Sequence, residues 1–104
     1  MSAAAMPHYI VEITYHVPLQ RIDEALLAHR AHLQTGYDRG LLLGSGPQLP
    51  RVGGILIARA ATRAELEAFI AQDPFRLQDL AEYRLVEFQP VKYQPWAADW
   101  FGAA

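Results

Sequence analysis

Residues 26–47 read LLAHRAHLQTGYDRGLLLGSGP, and the way this stretch divides decides the fold. Leu26, Leu33 and Tyr37 continue an apolar row that starts at Leu19 and Ile22, at the spacing of one helix face. Gln20, Arg21, Asp23, Glu24, Arg30 and Gln34 fall mostly off that row. Gly36 weakens the last turn, and Gly40 supplies the backbone freedom that ends a helix. Leu41 to Gly44 is then a short apolar run, and Ser45-Gly46-Pro47 reads as the turn that breaks it. A helix stopped by glycine is thus followed at once by a strand.

Working outward, residues 9–17 (YIVEITYHV) alternate, with Tyr9, Val11, Ile13, Tyr15 and Val17 on one face and Glu12, Thr14 and His16 on the other. Period two with β-branched and aromatic residues predicts a strand, ended by Pro18. Residues 52–60 (VGGILIARA) predict another, with Gly53-Gly54 marking a bulge or a close backbone approach, and Gln48 to Arg51 as a hairpin-like connection. Residues 62–71 (TRAELEAFIA) open with Thr62 and Glu65 in the capping-box spacing and carry Leu66, Phe69 and Ile70 as the apolar stripe. Gln72-Asp73-Pro74 ends this helix, because the residue before proline is pushed out of the helical region. Phe75 to Ala81 is a loop or one helical turn. Glu82 to Tyr93 is the last strand, bent at Pro90.

The order β-α-β-β-α-β is the ferredoxin-like split βαβ plan of the α+β class: one antiparallel sheet with two helices on one face. The strands are apolar enough to need cover on both faces. A second sheet would provide it, which predicts a homodimer.

With 104 residues the chain fits one domain. The division expected is a disordered lead-in over 1–7, a folded domain over 8–93 and a tail over 94–104. Trp96, Trp100 and Phe101 in the tail predict that it docks on something, in the same or a partner chain. A net charge of −2 with scattered arginines argues against a nucleic-acid surface. The absence of cysteine removes disulfides, thiolate metal sites and a cysteine nucleophile. The N-terminus lacks the basic start and apolar run of a signal peptide, and no stretch reaches membrane length. A cytoplasmic protein without a membrane partner is expected.

Four histidines are the candidates for chemistry. On a helical wheel His29 lies within about 60° of Ile22, Leu26 and Leu33, at the rim of the buried face. It suits either a half-buried histidine bonded to a backbone carbonyl or a general base. His32 is turned further out and is expected to be exposed. The two stand at i,i+3 and could share a metal, but with no third ligand in pattern no metal is expected. His16 and His8 flank the first strand, and nothing selects either. Asp73 is a turn-forming residue before proline or the partner of a distant histidine. An Asp–His hydrogen bond fixes the imidazole tautomer and makes a competent base. Ser45-Gly46-Pro47 is a plain turn or a place where N–H groups and a hydroxyl meet an anion. No GxSxG elbow, phosphate loop or dinucleotide fingerprint is present, and no cofactor is expected.

Taken together, HRAHL running to a glycine, then LLLGSGP, DPF and VEFQPVK, in this order and spacing, resemble the YCII-related family. The resemblance implies a dimeric α+β barrel of two ferredoxin-like protomers with their sheets facing. It also implies an active site pairing a helix-1 histidine with an aspartate at the end of helix 2, which match His29 and Asp73. The family histidine stands eleven residues before the glycine, and this selects His29 over His32. Ser45, Gly46, Pro47 and Phe75 would then contact a small-molecule ligand. Elimination of the dehydrochlorinase type, or isomerisation, of a small cyclic or aromatic substrate is the activity implied. Two departures stand out: Leu26 where the family often has arginine, and the aromatic tail. A non-catalytic ligand-binding or assembly module on the same barrel is the alternative. A third reading, a muconolactone-isomerase-like enzyme or a small monooxygenase, would use His16 or Tyr15.

Overall fold

A computed structural model describes residues 6–102. The expected lead-in falls mostly on residues 1–5, which lie outside the described residues. Strand β1 (His8–Tyr15) is followed by α1 (Leu19–Asp38), β2 (Leu42–Pro47), β3 (Gly53–Arg59), α2 (Arg63–Ala71), α3 (Pro74–Leu77) and β4 (Ala81–Phe88). A 3-10 turn (Pro95–Ala97) and α4 (Ala98–Phe101) complete the described chain. All pairings are antiparallel and the sheet order is β2-β3-β1-β4, the α+β arrangement expected from the element order.

The alternation of β1 sorts the molecule into layers. Tyr9, Val11 and Ile13 point to the helices and are buried with Leu56 and Ala58 of β3. They pack with Ile22 and Leu33 of α1 and with Leu66, Phe69 and Ile70 of α2 in one core. Each such large apolar side chain contributes about 2 kcal/mol when fully buried. On the opposite face, Ile10 stands between Ile57 and Val86 in register, and Glu12 accepts a hydrogen bond from Arg84 at 3.0 Å.

Helix α1 starts after Pro18 and ends where predicted, with Gly40 at φ 73°. Helix α2 has its capping box: Glu65 N–H donates to Thr62 Oγ1 at 3.2 Å, and the Glu65 carboxylate reaches back to the Ala61 N–H.

Three strand ends and the place of the bulge differ from expectation. β1 stops at Tyr15, three residues before Pro18, and the His16 N–H still donates to Leu80 O at 3.1 Å, in line with the β1–β4 register. β2 runs through Ser45-Gly46-Pro47 instead of turning there, pairing Ser45 with Leu56, Gly46 with Ile55 and Pro47 with Gly54. A proline is tolerated at the end of an edge strand. The reversal is made by residues 48–52, closed by Gln48 N–H to Gly53 O at 2.8 Å. The bulge lies in β2, between Leu42 and Gly44. Gly53 instead marks a close approach, since a Cβ there would fall 1.8 Å from Ile13 O. Finally, β4 ends at Phe88, before Pro90, so residues 89–93 are not strand.

The tail docks through two of its three aromatics. The Arg59 guanidinium lies 3.9 Å from the Trp100 ring and donates to Trp100 O at 3.0 Å. Phe101 lies 5.3 Å from the His8 ring, centroid to centroid. Trp96 is exposed. Among the described residues no helix is long and apolar enough to cross a membrane.

Candidate functional site

The site is built where the middle of α1 crosses the start of α3. Proline at the first position of α3 leaves Asp73 as its N-cap, and the Asp73 carboxylate accepts from Phe75 N–H at 3.0 Å. Asp73 is therefore a turn former, and its side chain does more than cap. The same carboxylate, 1% exposed, also accepts from His29 Nδ1 at 2.8 Å and from Tyr83 Oη at 2.7 Å. Three donors on one buried carboxylate leave it little freedom to move. Burial, and then the charge of Asp73, push the Tyr83 hydroxyl well above the usual tyrosine range. Tyr83 therefore acts as a donor to Asp73 across the working pH range.

The carboxylate only accepts, so the hydrogen-bond network assigns the proton of a neutral His29 ring to Nδ1. Phe75, set by α3, stacks on the His29 ring with centroids 3.8 Å apart and planes 3° apart. Tyr15 meets Phe75 edge-on. These contacts fix the ring plane. Nε2 has no hydrogen-bond partner among the described residues, and His29 lines a cavity of about 410 Å³. That volume is at the small end for ligand pockets. Ser45, Gly46, Pro47 and Phe75, the expected ligand contacts, all line it, with Ile13, Leu26, Leu33 and Leu56 as apolar wall.

The other histidines serve elsewhere. His32, expected to be exposed, is half-buried, because its ring stacks on Phe69 and its Nε2–H donates to Phe69 O at 2.7 Å. The carbonyl-bonded role weighed for His29 thus belongs to its neighbour one turn away. His16 bonds the Asp79 carbonyl and does not line the cavity, whereas Tyr15 does. Among the described residues no group of three or more His, Asp or Glu side chains is placed to hold a metal ion. The turn expected at Ser45-Gly46-Pro47, plain or anion-facing, is extended strand, not the curled backbone that converges N–H groups, and Ser45 Oγ is held by Tyr37 Oη at 2.6 Å.

A family model described as the YCII-related domain matches residues 6–89. The chain belongs to the YCII-related family. No curated protein matches it significantly. The YCII-related span takes in the whole sheet and every cavity-lining residue named above, and residues 90–104 lie outside it. Within that span, sequence reasoning passed over Tyr83, Arg30 and Arg51. Tyr83 had one signal, its place on the helix-facing side of β4 opposite Ile13. The two arginines line the cavity from α1 and from the β2–β3 connection.

Proposed function

We propose that this YCII-related protein is a cofactor-independent enzyme in which Asp73 orients His29 and His29 moves a proton on a small cyclic or aromatic substrate. One observation carries the reading: the buried Asp73–His29 hydrogen bond leaves Nε2 unpartnered at the wall of a small cavity. In the first step a substrate C–H bond breaks and its proton passes to Nε2. In an elimination the C–H electron pair forms the new C=C bond while the adjacent leaving group departs with its own bonding pair. In an isomerisation the proton returns from Nε2 to a different carbon. Asp73 holds the Nδ1–H throughout and stabilises the positive ring. A lyase of the dehydrochlorinase type or an isomerase follows. Tyr83 is a positioning residue, since its hydroxyl bonds Asp73 and it does not line the cavity.

The finer architecture is part of the same proposal. Ile57, Ile10 and Val86 form an apolar row on the face away from the helices. A second copy laid sheet to sheet would cover it and complete a dimeric α+β barrel. Light scattering should then give twice the 11.6 kDa of one chain, and Ile57→Glu should return the single mass.

The chemical test is deuterium uptake from D2O by a panel of small cyclic and aromatic carbon acids, read by NMR. Wild type should accelerate uptake in at least one compound, and His29→Ala should abolish it with the circular dichroism spectrum unchanged. Uptake that survives His29→Ala removes His29 from the mechanism. A second reading, a ligand-binding module without catalysis, is favoured by the lack of any carboxylate among the cavity-lining residues to serve as a second acid. Binding without exchange would support it.

A further inference from the structure

We infer that the cavity takes a small organic anion, a carboxylate or phenolate carried on a single ring, and that Arg30 supplies the cation that holds it. The inference rests on the cavity being the reaction site and names the class of molecule it admits. Arg30 follows His29 on α1, and both line the cavity. The lining holds two guanidinium groups and one imidazole, and no carboxylate. Asp73 is not a lining residue, and its oxygens are taken by His29, Phe75 and Tyr83. The charge that a ligand meets on entry is therefore positive.

The two arginines differ. Arg51 is already paired with Asp23 of α1. Arg30 has no acidic side chain within ion-pair distance among the described residues. Arg21, Arg59 and Arg76 share that condition but do not line the cavity. Arg30 is thus the cation at this site free to take an anion. A guanidinium beside a carboxylate or phenolate offsets its charge. This eases ionisation of the neighbouring C–H, the bond that His29 would break.

The test titrates the full chain with benzoate, benzamide and inorganic phosphate, followed by the backbone amide resonances of Gly54 and Phe75. Benzoate should bind about tenfold more tightly than benzamide. It should also bind more tightly than phosphate, which gains nothing from the apolar wall. Arg30→Gln, a change on an exposed helix position, should reduce benzoate to the level of benzamide. Arg51→Gln should have the smaller effect, and raised salt should narrow the benzoate preference. Equal binding of benzoate and benzamide overturns the inference. So does a preference that survives Arg30→Gln, phosphate binding as tight as benzoate, or no response to any probe. His29→Gln should keep the benzoate preference while losing deuterium exchange, so the anion site and the base stand or fall separately.

Discussion

The molecule buries two histidines and treats them in opposite ways. His29, 8% exposed, is given a carboxylate on one nitrogen, a stacked phenyl ring and a cavity beside the other nitrogen. His8, 2% exposed, is given Phe88, Trp100 and Phe101 around its ring, with Arg59 opposite it in register, and its Nδ1 has no partner. Burial, and then the nearby Arg59 charge, hold His8 below the usual histidine range. Burial alone would silence an imidazole. A carboxylate bonded to one ring nitrogen and a cavity beside the other are what separate the candidate site from the tail contact.

The largest expected effect breaks the site side of this contrast. Asp73→Ala removes the partner of three buried donors and a helix cap at once, and should cost about 3–5 kcal/mol in urea unfolding. The matching change at the other pole, His8→Phe, removes an unpartnered polar atom from apolar surroundings and should be neutral or stabilising. Tyr83→Phe comes next. It should cost about 1 kcal/mol and leave the Asp73–His29 bond in place, and it should slow exchange less than His29→Ala does.

The pH response of His8 is smaller. Its folded value lies below its ordinary 6.5, so the unfolded chain binds the proton first as pH falls. Its contribution to stability is present above pH 6.5 and is lost on acidification through the folded value. Denaturation followed by tryptophan fluorescence should show this loss in wild type and lack it in His8→Phe. Smallest of all, Arg30→Gln should leave unfolding stability within about 0.5 kcal/mol.

How much of this could be read from the residues varies with how local the cause is. α1, α2 and the core faces of β1 and β3 follow from periodicity, and the α2 cap follows from Thr62 and Glu65. The end of β2 is not legible because Ser45-Gly46-Pro47 carries strong turn chemistry, while pairing with β3 across the glycines keeps it extended. The wheel placed His29 at the rim of the core but could not tell its bonding from that of His32. That distinction depends on which element, α3 or α2, packs over each ring. Asp73 was legible as a turn former from Pro74, and as the partner of His29 only through the family resemblance. Tyr83 acts through sheet register, and Arg30 through the shape of a cavity that several elements enclose. Neither cause is local. The tail has no periodicity of its own, and its docking depends on Arg59, forty-one residues before Trp100.

In the proposed dyad Asp73 holds the proton of His29 on Nδ1 and leaves Nε2 free to act. Nitrogen-15 NMR of the imidazoles, in wild type and in Asp73→Asn, tests it most directly. Wild type should show a neutral His29 protonated at Nδ1, with a far-downfield Nδ1 proton that disappears in Asp73→Asn. A His29 ring protonated at Nε2, or a spectrum unaltered by Asp73→Asn, would contradict it.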